Sequence, residues 1–368
     1  MIKSCYIHIP FCNKICSYCD FCKLFYNEKL VAKYLTELKE EIELSYTNEE
    51  LNTIYIGGGT PSTLNIKQLK KLFNITNTLK LSKKYEFTIE CNFDSITYEK
   101  LDLFKKNNIN RISFGLESID KNNLQILDRT IDKNKVIDII NYCHKIGLHN
   151  INIDLMYAIK NETLEALKKD IDFLKSLDIT HISTYSLILE KNTKLYIEGY
   201  DYIDEDLVRD MYDLICDELK DFDHYEISNF AKNKKYRSRH NLSYWNNLEY
   251  YGFGLGASGY EGNVRYEKTR SITKYLNHDY IKDNGFEFLS TKDKIYYEII
   301  LSLRTKEGIN LPKFKEKYHN PLEYYYDYKR LLDNKHLIKK NNCLFIPQNF
   351  YYLSNSIIIE LLEGENNE

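Results

Sequence analysis

Over the first two hundred residues, short runs of β-branched and aromatic residues alternate with segments whose apolar positions recur every three to four residues. SCYIHI (4–9) reads as a strand, and LVAKYLTELKEEIEL (30–44) as an amphipathic helix. NTIYIGG (52–58) and IKQLKKLFNITNTL (66–79) repeat that strand and helix. YEFTIECN (85–92), NRISFGLE (110–117), INIDLMY (151–157) and HISTYSLIL (181–189) predict four more strands. The segments between them, YEKLDLFKKN, KVIDIINYCHKIG and LEALKKDIDFLKSLD, are helix-sized. Strands reached one after another through helical crossovers predict a parallel sheet with right-handed connections. Six of them suit an α/β fold wound as a partial, open (β/α)6 barrel of the TIM type. Such folds carry their chemistry at the C-terminal ends of the strands. A cysteine-rich loop, the GGGT turn, Glu90, Glu117 and Asp154 all fall at such ends.

Beyond about residue 200 the pattern changes. A helix, DEDLVRDMYDLICDELK, leads to HYEISNFA and then to a polar, Gly-rich stretch from Lys232 to Gly262 with little periodicity. After about residue 290 the chain reads helix, helix, short β pair, helix, which predicts a smaller, mostly helical domain of winged-helix type. The expected division is a barrel core over 1–230, a linking segment over 231–285 and a C-terminal domain over 286–368.

The 368 residues have a formal net charge of -3, so no basic surplus argues for nucleic acid. Runs such as KNNIN, DKNK and KNKK read as solvated faces. No apolar run reaches the roughly 18 residues of a membrane span. The opening MIKSCYIHIP lacks the apolar stretch of a secretion signal, which predicts a cytoplasmic protein. The cysteines number nine, an odd count in a chain with a large core, and argue against a disulfide scaffold.

Four of them are crowded into PFCNKICSYCDFCK, at Cys12, Cys16, Cys19 and Cys22. The first three have C-x3-C-x2-C spacing in a loop after a strand. Three thiolates on a loop suit three irons of a [4Fe–4S] cluster, with the fourth iron open for chemistry. The alternative is a closed site, zinc or ferredoxin-type, with Cys22 as fourth ligand.

YIHIPFCNKICSYCDF resembles the N-terminus of radical S-adenosylmethionine (SAM) enzymes, in particular the oxygen-independent coproporphyrinogen III oxidase family. YIGGGTPSTL, TIECN, RISFGLES, NINIDLMY, HISTYSLILE, YEISNFA, RHNLSYWNN and YGFGLGA follow in the family's order, so the resemblance covers essentially the whole chain. It implies a [4Fe–4S] cluster on Cys12, Cys16 and Cys19, with SAM chelating the open iron for reductive cleavage. It also implies SAM contacts from Gly58, Gly59 and Thr60, with Glu90 accepting from the SAM ammonium. Tyr6, Tyr18, Glu117, Arg129 and Asp154 match other SAM-site positions, although Glu117 stands where the family usually has Gln. A monomer or dimer is implied as well.

The true oxidases of this family carry a further cysteine two residues after the third, and here that position is Phe21. Cys22 comes one residue too late. The DF after Cys19 and the HNLSYW stretch, His240, Asn241, Tyr244 and Trp245, match instead a branch of haem chaperones. That resemblance implies haem held by these four residues, since imidazole ligates iron and aromatic faces suit a porphyrin. The expected function is therefore haem binding and transfer to acceptor haemoproteins. The alternatives are radical decarboxylation of coproporphyrinogen III and a metal-stabilised binding protein without SAM chemistry.

Overall fold

The computed structural model describes residues 1–366. Its main sheet has twelve strands: β1 (Ser4–Ile9), β2 (Leu51–Gly58), β3 (Leu81–Asn92), β4 (Arg111–Glu117), β5 (Asn150–Tyr157), β6 (His181–Ser186), β7 (Asp223–Glu226), β8 (Asn229–Ala231), β9 (Tyr250–Phe253), β10 (Ser258–Glu261), β11 (Val264–Lys268) and β12 (Ile281–Phe288). Their spatial order is β12-β11-β10-β9-β1-β2-β3-β4-β5-β6-β8-β7, and the sheet is open. β1 to β6 pair in parallel through helical crossovers, as the alternating pattern predicts.

The helices begin where side chains replace missing backbone partners. Asn27 caps Glu28–Ser45, and Asn65 forms a reciprocal capping box with Gln68 at the start of Ile66–Thr76. Val31, Tyr34, Leu35, Leu38 and Ile42 form the buried stripe of the first helix. Strand β4 shows how the core and the site are separated. Ile112, Phe114 and Leu116 join the hydrophobic core, whereas the alternate residues Arg111, Ser113, Gly115 and Glu117 line a cavity.

HYEISNFA folds as the hairpin β7–β8, which continues the sheet antiparallel from β6. One expectation is corrected. The segment 231–285 is not a linker. It holds the helix Arg239–Trp245, three strands of the sheet and the start of a fourth, and of these β9 pairs in parallel with β1 and makes a seventh parallel strand. The partner of β9 lies some 245 residues earlier in the chain (Ser4↔Tyr250), a pairing that local periodicity does not carry.

The remainder holds the helices Thr291–Ser302, Leu311–Tyr318, Lys329–Asp333 and Ser354–Glu363 with a three-stranded antiparallel sheet. Arg237 ties it to the barrel, reaching Asp223 and Glu307 at 2.6 Å each. Among the described residues no helix is long and apolar enough to cross a membrane.

Candidate functional site

After β1 the chain turns at Pro10 into a loop whose two ends are fastened together. Phe11–Cys12 pairs with Leu24–Phe25, so the cysteines project from a closed loop rather than a free one. Thr60 Oγ1 donates to Cys12 Sγ at 3.6 Å, and Arg129 Nη1 to Cys16 Sγ at 3.4 Å. Ser17 Oγ donates to the Ile126 carbonyl at 2.6 Å and anchors the loop's middle. Burial pushes the Cys12 thiol up to about 11 and raises Cys19 as well, so a metal must displace their protons on binding.

Cys12, Cys16 and Cys19 line the cavity together with Phe21, and Cys22 does not. Cys22 is buried against Gly256, where an added Cβ would fall 2.4 Å from the Cys22 Cβ. No three of the four Sγ atoms lie within 4.8 Å of one another. A single zinc with sulfur at about 2.3 Å needs sulfur–sulfur spacings near 3.8 Å. Three thiols lining one cavity without closing to a zinc-sized set, with the fourth turned away, fit a [4Fe–4S] cluster that leaves one iron without a protein thiolate.

Beside the loop, the GGG turn at the end of β2 brings backbone close to the cavity. Gly58 has φ 114°, and a Cβ there would fall 2.4 Å from the His8 ring, so only glycine fits. Its N–H donates to Glu90 at 3.0 Å, and Tyr55 donates to the same carboxylate at 2.7 Å. Burial raises Glu90 to about 7. Burial also raises Glu117 to about 7, against the opposing charge of Arg129. Glu117 accepts from Tyr18 at 3.0 Å and pairs with Arg129 at 3.5 Å. Arg129 further donates to the Gly115 carbonyl at 2.7 Å and to Asn92 at 3.2 Å. Burial raises Asp154, which accepts from Asn152 at 2.8 Å.

Gly58, Gly59, Thr60, Tyr18, Glu90, Glu117, Arg129 and Asp154 thus share one cavity of about 810 Å³. That volume is at the upper end of the range for small-molecule sites. A backbone cradle beside buried carboxylates and an arginine suits the amine, carboxylate and ribose hydroxyls of SAM. Tyr6 is not part of the wall; it stands behind Tyr55 and shares a 2.9 Å hydrogen bond with His8. At the mouth, Phe21 is 67% exposed and Ile188 59% exposed.

The HNLSYW residues lie elsewhere than expected. Their helix, Arg239–Trp245, packs at the N-terminal ends of the strands, opposite the cysteine loop. His240 is buried, with Nδ1 2.8 Å from Thr53 Oγ1 and Nε2 2.7 Å from the Tyr244 hydroxyl. Both ring nitrogens are occupied. Burial lowers its pKa to about 3, so the ring is neutral. Tyr244 and Trp245 stay outside the wall, and Asn241 alone of the four lines the cavity. As a set of haem-facing residues the four are not brought together in this conformation, because Thr53 and Glu86 hold the helix as a floor under the barrel.

Tyr55, Asn92, Arg111 and Asn152 also line the cavity and escaped the sequence reading. The signal was available for Arg111: polar residues at every second position of RISFGLE mark one face of a strand.

Comparison with known proteins agrees with this geometry. The radical SAM superfamily profile matches residues 6–174. The heme chaperone HemW of Lactococcus lactis is 36% identical over 99% of this chain and 98% of its own length. That of Bacillus subtilis is 38% identical over 88% of each. Among solved structures, the coproporphyrinogen III oxidase HemN of Escherichia coli, a radical SAM enzyme, superposes with a TM-score of 0.84. It covers 97% of this chain and 89% of that one at 18% identity, a likeness of fold. The chain belongs to the radical SAM superfamily and, within it, to the HemW family.

Proposed function

We propose that this protein is a haem chaperone that binds a [4Fe–4S] cluster, SAM and haem and hands haem to acceptor proteins. The observation that carries the reading is Phe21. The coproporphyrinogen oxidases have a cysteine at that position, and here an exposed ring stands at the cavity mouth beside Ile188. The near full-length likeness to two heme chaperones supports it.

In this reading Cys12, Cys16 and Cys19 hold the cluster. Gly58, Gly59 and Thr60 cradle the methionine part of SAM, Glu90 takes its ammonium group, and Asp154 a ribose hydroxyl. Tyr18 and Arg129 fix the Glu117 carboxylate and keep it from repelling the anionic end of SAM. The cluster, held by Cys12, Cys16 and Cys19, would supply the electron for reductive cleavage of SAM. Haem, a flat and largely apolar ligand, rests in the mouth on Phe21 and Ile188. Ligation by His240 would require its hydrogen bond to Tyr244 to open.

The test is an anaerobic assay with full cluster, SAM and a reductant. Coproporphyrinogen III is expected to stay undecarboxylated, while haem-loaded protein transfers haem to an apo-haemoprotein. Vinyl formation at enzymatic rates, without haem transfer, would instead establish the oxidase reading.

A further inference from the structure

Arg111 opens β4 and is 2% exposed. Among the described residues its guanidinium has no hydrogen bond and no ion pair, and its Nε is buried without a partner. Arginine is almost never fully buried unless paired, because removing the charge from water is costly. The nearby carboxylates are committed elsewhere. Glu117 holds Arg129, and Glu90 accepts from Tyr55 and Gly58. Asp154 feels the positive charge of Arg111 but takes its hydrogen bond from Asn152. Glu86 accepts from the backbone N–H groups of Arg239 and His240 at 3.1 and 3.0 Å. Arg111 nevertheless lines the cavity, so its free donors face space that a ligand enters.

A planar guanidinium with unused donors matches a carboxylate through two parallel hydrogen bonds. The SAM carboxylate belongs near the cysteines, where Arg129 lies beside Glu117 at the C-terminal end of β4, whereas Arg111 opens the same strand at its other end. The anion at Arg111 comes from the second ligand. Resting on the tetrapyrrole reading above, we propose that Arg111 is a binding residue for a carboxylate arm of that tetrapyrrole. The macrocycle then enters edge-on, its carboxylate edge toward Arg111 and Asn241 and its apolar edge at Phe21 and Ile188.

The test measures binding of haem and of haem dimethyl ester to reconstituted wild type, Arg111→Gln, Arg111→Met and Arg111→Lys. Wild type is expected to bind the free acid at least about 10-fold more tightly than the ester. The Gln and Met variants should bind both alike, and Lys should keep part of the preference. Both neutral variants should also raise the unfolding midpoint of the ligand-free protein, since an unpaired buried charge is removed. A preference that survives in Arg111→Gln and Arg111→Met, or midpoints that fall, would overturn the proposal. If wild type binds neither haem compound, the chaperone reading fails on its own account. Coproporphyrin III and its tetramethyl ester then decide Arg111: an acid preference lost with Arg111→Gln supports it, and no preference overturns it.

Discussion

The backbone N–H of Gly58 donates to the Glu90 carboxylate at 3.0 Å, joining the glycine turn of β2 to the wall formed by β3. Burial raises Glu90 from about 4.5 to about 7, so the folded protein favours its neutral form. Between those values the folded state binds more protons than the unfolded chain, and stability falls as pH rises. Glu90→Gln, whose amide oxygen still accepts from Gly58, should therefore stabilise the ligand-free protein by about 3 kcal/mol at pH 8. The gain should vanish near pH 4.5. Denaturant unfolding at the two pH values measures it, and SAM affinity should drop in the same variant.

Replacing Cys12, Cys16 or Cys19 with Ala should abolish the cluster, while Cys22→Ser should leave iron and sulfide content unchanged. Cys22 faces Gly256 rather than the cavity. Iron and acid-labile sulfide analysis after anaerobic reconstitution checks this.

Gly256 has φ 72° and no room for a Cβ beside Cys22, whereas Gly262 has φ 61° and open space around it. Gly262→Ala should cost only the backbone preference, about 1 kcal/mol. Gly256→Ala should cost clearly more, about 2–4 kcal/mol in all, because the Cys22 side chain must move as well. Thermal unfolding of the two variants compares them directly.

His240→Ala removes the ring between Thr53 and Tyr244 and should destabilise the protein by about 2–4 kcal/mol at pH 7. The folded-state pKa of His240 lies at about 3, below the ordinary 6.5, so the benefit of the neutral ring is present above 6.5 and is lost as pH falls. The gap between wild type and variant should accordingly shrink by about 2 kcal/mol at pH 5. With haem seated at the mouth, folded His240→Ala should keep an unshifted Soret band, which absorption spectroscopy reads.

The parallel core was legible because each strand is a compact run of β-branched and aromatic residues between helical segments, and Glu90 and Asp154 stand at the strand ends that the fold turns into a site. β9 was not legible, since YYGF is a four-residue run inside a polar, Gly-rich stretch and pairs with a strand at the other end of the chain. His240 misled for a related reason: its partners Thr53 and Glu86 are far away in sequence, so a motif that suits a ligand sits in the floor of the barrel. The inward face of Arg111 is masked in the sequence because its neighbours Ile112 and Phe114 make the stretch read as core.

The central claim is tested most directly by titrating haem into the anaerobically reconstituted protein and following the Soret band through desalting. Retention of about one haem per chain, weakened when Phe21 and Ile188 are both replaced with Asp, is the result expected of an apolar mouth that seats a porphyrin. Haem lost completely on desalting, from a protein whose cluster and SAM binding are intact, would contradict the claim.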